Sequence, residues 1–258
     1  HFGEEPCISG TKGAGTVFFS GCSLHCVYCQ NYKISTENFG KEVTPQKLHS
    51  IFQDLIDQGA HNIDLVTPSH FTEGILEALS YGVSVPVIYN SSGYDRVETI
   101  QRLKTSIDIY LPDLKYDDPA LAKRYSGAED YPEIAHKAIK EMVAQVGPVQ
   151  LDKDGILRKG VIIRHLILPG HLDDTKRVID WVSNTFSNED VWLSLMSQYT
   201  PLPTLSEEYK ELARRVTTRE CTRAAEYALS KGIKNGYIQN RDSATKEYIP
   251  SFDLTGIK

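Results

Sequence analysis

The chain alternates between two hydrophobic periods. Short runs that are apolar at nearly every position, over residues 16–20, 62–67, 85–90, 107–111, 161–168 and 191–196, predict strands. Between them the spacing changes. Over residues 45–58, Leu48, Ile51, Phe52, Leu55 and Ile56 fall on one helical face, with Thr44 placed to cap the helix, Pro45 at its first position and Gly59 just past its end. Similar spacing predicts helices over 71–80, 94–103, 119–125, 131–145 and 173–184, and a long one over 206–231 capped by Ser206. Residues 149–151 and 156–158 flank an Asp-Lys-Asp-Gly turn and predict a hairpin.

Six strands alternating with helices, most of them apolar on both faces, predict parallel strands covered by helices, an α/β fold. No Ser/Gly-rich linker or charge block divides the chain. Residues 1–258 therefore read as one domain, with a lead-in over 1–15 and a C-terminal extension over 232–258. An open doubly wound sheet and a partial barrel both fit this pattern. In either, chemistry gathers at the carboxyl ends of the strands. Polar residues collect there: Ser20 to Cys29, Thr67 to His70, Asn90 to Gly93, Asp113 and Lys115, Pro169 to His171, and Ser197 to Tyr199.

With 28 basic and 34 acidic residues and a formal charge of −6, the composition offers no concentrated basic surface for nucleic acid. No apolar run reaches the roughly 18–20 residues of a membrane span. The chain opens at His1 without a methionine, a basic stretch or an apolar stretch, so no signal peptide is expected and upstream residues are expected to be missing from it. Five cysteines, an odd number with three of them inside eight residues, argue against a disulfide framework and point to a reducing, cytoplasmic setting.

Those three cysteines carry the chemistry. Cys22, Cys26 and Cys29 have the spacing C-x3-C-x2-C, and thiolates suit iron–sulfur clusters and zinc. A structural zinc needs four ligands, and His25 or Cys7 could supply the fourth. Three ligands on a four-iron cluster leave one iron open, as an open position marks catalytic zinc. Both metals remain open at this point, as does a non-catalytic binding module. Cys7 and Cys221 read as structural.

C-x3-C-x2-C with Tyr28 before its last cysteine, on the loop after the first strand, resembles the radical S-adenosylmethionine superfamily. Within it the chain is similar to the activating enzymes of glycyl radical enzymes, in the branch labelled pyruvate formate-lyase activating enzyme-like. The matching segments are HFGEEPCISG at 1–10, GTVFFSGCSLHCVYCQNYKIS at 15–35, LVTPSHF at 65–71, VIYNSSGY at 87–94, DIYLPDLKY at 108–116 and VIIRHLILPGH at 161–171. The resemblance implies a partial (β/α)6 barrel of parallel strands with outer helices, and a [4Fe-4S] cluster on Cys22, Cys26 and Cys29. It also implies S-adenosylmethionine bound at the open iron. Reductive cleavage there would give a 5′-deoxyadenosyl radical that abstracts a substrate hydrogen.

By the same resemblance, Tyr28, Asn90, Ser91, Asp113, Lys115, Arg164 and Gln198 bind the cofactor. An arginine inside an apolar strand is costly unless paired, which adds weight to Arg164. Asn90 departs from the usual aspartate. Thr67-Pro68-Ser69-His70 replaces the Gly-Gly-Glu that contacts the cofactor's amino group in many relatives, with Thr67 or Ser69 as substitutes. His70 and His171 are candidate substrate contacts or proton donors. The implied partners are a glycyl radical enzyme or a peptide, or else a small-molecule substrate, and a flavodoxin or ferredoxin as electron donor.

Overall fold

A computed structural model describes residues 1–238 together with 254, 256 and 257; the rest of the C-terminal extension lies outside the described residues. In chain order the elements are α1 (Pro6–Ser9), β1 (Gly15–Phe18), α2 (Tyr32–Ser35), α3 (Pro45–Asp57), β2 (Ile63–Val66), α4 (Thr72–Ser80), β3 (Val87–Ser91), α5 (Val97–Arg102) and β4 (Ile109–Pro112). They continue with α6 (Pro119–Ser126), α7 (Tyr131–Val146), β5 (Gln150–Leu151), β6 (Leu157–Leu166), α8 (Leu172–Thr185), β7 (Val191–Met196), α9 (Thr218–Ser230) and β8 (Gly236–Ile238).

The sheet order decides between the two architectures. Strands run β1-β2-β3-β4-β6-β7-β8, every neighbouring pair parallel, with β5 antiparallel to the start of β6. The order never reverses, so there is no switch point of the kind a doubly wound sheet requires. A singly wound order with uniform crossovers curls the sheet into a barrel. Among the described residues no pairing joins β8 back to β1, and the barrel is open at that side.

The strands have two distinct faces. Ile63, Leu65, Val87, Tyr89, Tyr110, Val161, Ile163, Leu193 and Leu195 face the helices in the main core. The alternate positions face the lumen, whose lower half is filled by Ile88, Ile109, Leu111, Leu157 and Ile162 packed on Cys7 and Ile8 of α1. The lead-in is thus a plug in the barrel, held by the Asn62 side-chain amide donating to the Ile8 carbonyl at 2.9 Å. Higher in the lumen Asp64, Asn90, Arg164 and Ser194 are buried and polar.

Several boundaries differ from the sequence expectation. The helix expected over 206–231 is two elements, a 3-10 segment at Glu207–Leu212 and then α9. Ser206 does cap the first, accepting from the Glu208 amide, but Thr217 and Glu220 form a capping box that starts α9 afresh. Such a box satisfies two orphan amides and fixes the helix start. The second hairpin arm is no separate strand; it runs on as β6. Helix α5 starts at Val97 rather than 94, because Tyr94 and Asp95 are engaged elsewhere, Tyr94 with Asp130 and Asp95 with the strand ends. In α3, by contrast, Thr44 accepts from the Lys47 amide with Pro45 behind it, as the sequence predicts. Among the described residues no helix is long and apolar enough to cross a membrane.

Candidate active site

The carboxyl ends of the strands surround a cavity of about 340 Å³. Its wall takes Cys22, Cys26 and Cys29 from the loop after β1, Thr67 from β2, Asn90 and Ser91 from β3, and Asp113 and Lys115 from β4. Arg164 comes from β6, Gln198 from beyond β7, and Glu4 from the lead-in. Nine of the ten residues assigned from the sequence to the cluster and the cofactor therefore meet on one wall, with Thr67 beside them.

The three cysteines are presented by a tight loop. The Cys29 amide donates to the Cys26 carbonyl at 3.0 Å, the Val27 amide to the Tyr125 carbonyl at 2.9 Å, and His25 takes a left-handed conformation at φ 47°. Two serines orient the sulfurs: Ser126 Oγ donates to Cys26 Sγ at 3.0 Å, and Ser35 Oγ lies 3.3 Å from Cys29 Sγ. Burial pushes the Cys26 thiol up to about 11, opposed by the Lys115 charge and the Ser126 hydrogen bond.

Across from them stands an ion pair. Lys115 Nζ donates to Asp113 Oδ2. Burial opposes the lysine's charge, yet Asp113 and then Cys26 hold its pKa well above the usual range. Tyr131 ties this loop to the next, accepting from the Lys115 amide at 2.8 Å with the Asp113 and Ser92 carbonyls each 2.9 Å from its hydroxyl. Gly93 makes the approach possible: at φ 75°, a Cβ there would sit 2.1 Å from the Asp113 carbonyl oxygen. The buried Asp95 carboxylate gathers the Ser69, Tyr89 and Ser91 hydroxyls at 2.5, 2.9 and 2.6 Å. Ser91 thus reaches the cavity with its proton already committed, and Ser69 is occupied away from it. Thr67, with φ 60°, does face the cavity. A β-branched residue there is strained, a state found where surroundings over-determine it.

Three predicted residues lie elsewhere. The Tyr28 side chain is buried in the main core, its hydroxyl 2.6 Å from that of Tyr116. His70 Nε2 is 2.7 Å from the Ser20 carbonyl and its ring packs on Phe71. His171 Nε2 is 2.8 Å from the Tyr125 hydroxyl at the start of α8. Neither histidine reaches the cavity wall. Arg164 does, but with its charge taken: Nε donates to Glu5 Oε1 at 2.9 Å, and Nη2 to both Glu4 and Glu5. The sequence reading missed Glu4, Glu5 and Asp64. The signal was present in Arg164, since a guanidinium in an apolar strand demands acidic partners.

One further histidine braces the site from behind. His165, fully inside the fold, has Nδ1 2.8 Å from the Leu114 carbonyl and Nε2 2.9 Å from the Thr175 hydroxyl. Burial pushes it down to about 4, against the Leu114 carbonyl, which favours protonation. The unfolded chain takes up this proton near pH 6.5 and the native one only near 4. Stability is therefore full above 6.5 and falls as pH drops through that window, by up to about 3 kcal/mol. Urea midpoints of wild type and His165→Gln should accordingly converge or cross between pH 7.5 and 4.5. Parallel pH dependences would contradict a neutral His165.

Comparison with known proteins follows this geometry. Residues 9–107 match the family model of a 4Fe-4S single cluster domain. The chain is 32% identical over 242 residues to the uncharacterized protein MJ0674 of Methanocaldococcus jannaschii, covering 88% of this chain and 64% of that one. Among solved structures, Streptococcus suis SuiB bound to S-adenosylmethionine superposes with a TM-score of 0.61 at 12% identity, over 90% of this chain and 52% of SuiB. HydG, a maturase of the [FeFe]-hydrogenase, gives 0.54 at 14% identity, over 90% and 53%. The fold is one shared with SuiB and HydG. The chain spans less than two thirds of MJ0674 and about half of each of these two enzymes.

The donor set suits a cluster better than a single ion. Thiolates on one zinc lie about 2.3 Å from it and hence within about 4 Å of one another. Among the described residues no group of three or more Cys, His, Asp or Glu side chains converges to hold one metal ion. The three sulfurs instead line one cavity, and an iron–sulfur cluster takes one cysteine per iron. His25 lines the same cavity with Nδ1 3.5 Å from the Thr36 hydroxyl, and Cys7 is buried in the lumen plug; neither completes with the cysteines a group that could hold one metal ion among the described residues.

Proposed function

We propose that this chain is a radical S-adenosylmethionine enzyme acting on a polypeptide, with Cys22, Cys26 and Cys29 holding a [4Fe-4S] cluster. The observation that carries it is the convergence of these cysteines with Asn90, Asp113, Lys115 and Gln198 on one cavity wall. Bound there, cluster and S-adenosylmethionine would supply a 5′-deoxyadenosyl radical for hydrogen abstraction. The protein's share is binding and exclusion. Ser126 and Ser35 orient two of the sulfurs. Lys115 places positive charge beside Cys26, favouring its thiolate. Asp113 offers a carboxylate fixed by Lys115, and Asn90 and Gln198 offer amides to polar parts of the cofactor. The apolar Phe18, Ile34, Val66 and Met196 on the same wall keep water from the reacting atoms.

A polypeptide substrate is supported by the likeness to SuiB bound to its precursor peptide SuiA, at a TM-score of 0.56 and 12% identity over 87% of this chain and 48% of SuiB. The resemblance to activating enzymes makes a glycyl radical enzyme the leading substrate within that class, with a flavodoxin or ferredoxin as reductant. The whole of 1–258 serves as one catalytic domain in this reading.

The test is anaerobic: reconstitution with iron and sulfide, reduction with dithionite, addition of S-adenosylmethionine, and mass spectrometry for 5′-deoxyadenosine. Its formation supports the reading; a four-iron protein that makes none, or one that takes up zinc and refuses iron, sinks it. Asp113→Asn is expected to weaken S-adenosylmethionine binding about tenfold or more, since a charge-assisted hydrogen bond contributes about 1.5–3 kcal/mol. Its iron content should match wild type. Equal loss of iron and of cofactor binding would contradict the role given to Asp113.

A further inference from the structure

Behind Cys26, away from the cavity, runs a line of buried hydroxyls. Ser126, the last residue of α6, donates from Oγ to Cys26 Sγ at 3.0 Å. Its Oγ lies 2.9 Å from the Tyr116 hydroxyl, which in turn lies 2.6 Å from the Tyr28 hydroxyl. All three residues are buried, Tyr116 with no exposed surface, and none of them lines the cavity. Each hydroxyl has one proton to give, so the donors order themselves. An iron-bound thiolate has no proton and only accepts, which commits the Ser126 proton to Cys26. Ser126 Oγ must then accept from Tyr116, and Tyr116 from Tyr28, whose hydroxyl has no other hydrogen-bond partner among the described residues. Three O–H dipoles therefore point the same way, toward one sulfur, and each bond polarises the next.

Packing holds this line still but does not explain it. The Val27 amide donates to the Tyr125 carbonyl at 2.9 Å and ties the cysteine loop to α6. The Tyr116 ring meets Tyr131 edge-on with centroids 5.6 Å apart, and the Tyr28 ring meets Tyr199 in the same way at 6.1 Å. Phenylalanine would serve that packing equally well, and a buried hydroxyl costs free energy unless it is bonded. The two phenolic hydroxyls bond only along the line, and the line ends on Cys26. Cys29 is backed differently. Ser35, 3.3 Å from its sulfur, neighbours the exposed Thr36, whose hydroxyl is 3.5 Å away, instead of a buried chain.

We propose that Ser126, Tyr116 and Tyr28 are positioning residues that raise the reduction potential of the cluster held by Cys26. The proposal rests on the reading of Cys26 as a cluster ligand. The single electron taken up on reduction adds negative charge at the ligand sulfurs. Hydrogen bonds donated to a sulfur are then stronger in the reduced state than in the oxidised one, and that difference favours reduction. In the buried, low-dielectric setting of these residues the aligned dipoles act at nearly full strength.

The test uses the anaerobically reconstituted full chain without S-adenosylmethionine, as wild type, Ser126→Ala, Ser126→Thr and Tyr116→Phe. Iron content is measured for each, and the midpoint of the one-electron couple is read by EPR during stepwise reduction with dithionite. Ser126→Ala should lower the reduction equilibrium constant about tenfold, a midpoint more negative by about 59 mV. Ser126→Thr keeps the hydroxyl and should stay within about twofold of wild type, or about 18 mV. Tyr116→Phe leaves the packing and Ser126 in place and should shift the constant in the same direction as Ser126→Ala, by about twofold. Cluster-loaded Ser126→Ala and Tyr116→Phe with wild-type or higher midpoints overturn the proposal. A shift in Ser126→Ala with none in Tyr116→Phe overturns the chain as well. If Ser126→Ala holds no cluster, Tyr116→Phe decides alone. Loss of the cluster in both overturns the proposal, since the line would then serve assembly and not potential. A wild type that takes up no iron–sulfur cluster overturns it together with the proposed function. A protein that shows the shifts but makes no 5′-deoxyadenosine keeps the hydroxyl line and loses the radical reaction.

Discussion

Cys26→Ala is expected to reduce 5′-deoxyadenosine formation to background while the protein stays folded. Cys26 is oriented by Ser126, and the charge of Lys115 opposes the burial that pushes its thiol up. Under the proposed assignment, loss of its thiolate would take the protein ligand from one iron and leave the polynuclear centre held at two points. The change removes a single sulfur at the edge of the core, so the thermal midpoint should move little. Cys22→Ala and Cys29→Ala should behave alike, each with depleted iron. Undiminished turnover in all three variants would sink the assignment. Lost turnover in a protein that no longer melts cooperatively would show only that the thiol was needed for folding, and Cys26→Ser, which keeps a similar volume, would then decide.

The largest effect on stability is expected at Arg164. Arg164→Met keeps the length of the side chain and removes the charge, stranding Glu4 and Glu5 in the lumen. Breaking a buried pair by deleting one partner costs about 3–5 kcal/mol, mostly as the penalty on the charge left behind. That is a large share of the 5–15 kcal/mol typical of a domain. Chemical denaturation would read it as a lowered midpoint at unchanged slope. Adding Glu4→Gln and Glu5→Gln to Arg164→Met should restore most of the loss, because neutral amides can be buried at lower cost. A triple variant no more stable than Arg164→Met would show that the guanidinium acts by packing and not by charge.

Much of the architecture was legible in the sequence for local reasons. The six principal strands are apolar on alternate positions that face the helices, and a run such as Ile63–Val66 or Val161–Leu168 needs no distant partner to be recognised. Thr44 and Pro45 announce α3 by chemistry contained within four residues. The break before α9 was equally local and was passed over: Thr217-Thr218-Arg219-Glu220 is a capping box in the sequence itself. Cys22, Cys26 and Cys29 reached one wall because eight residues of loop cannot carry them far apart.

What sequence reasoning did not reach depends on long-range closure. Glu5 and Arg164 lie 159 residues apart, and nothing near either names the other. Reading most strands as apolar on both faces also hid the lumen. Asp64, Asn90 and Ser194 stand at inward positions of strands whose outward positions are apolar enough to dominate the pattern. Sheet order was beyond reach for the same reason: each strand's partners are set by how the barrel curls, while the sequence shows only that strands and helices alternate.

The plug of residues 6–9 also constrains the order of assembly on the ribosome. Residues 6–9 and the adjoining Glu5 leave the exit tunnel well before Leu157, Ile162 and Arg164, against which they pack and pair. They must wait, solvated, until β6 has been translated, while β1 to β4 and their helices can already form sequential parallel pairs. Contacts of such sequence separation close slowly and late. At about 5–20 residues per second, the lead-in stays undocked for on the order of ten seconds or more of each synthesis. During that interval the nascent barrel has its apolar lumen open at the bottom, the stage at which a chaperone would find it.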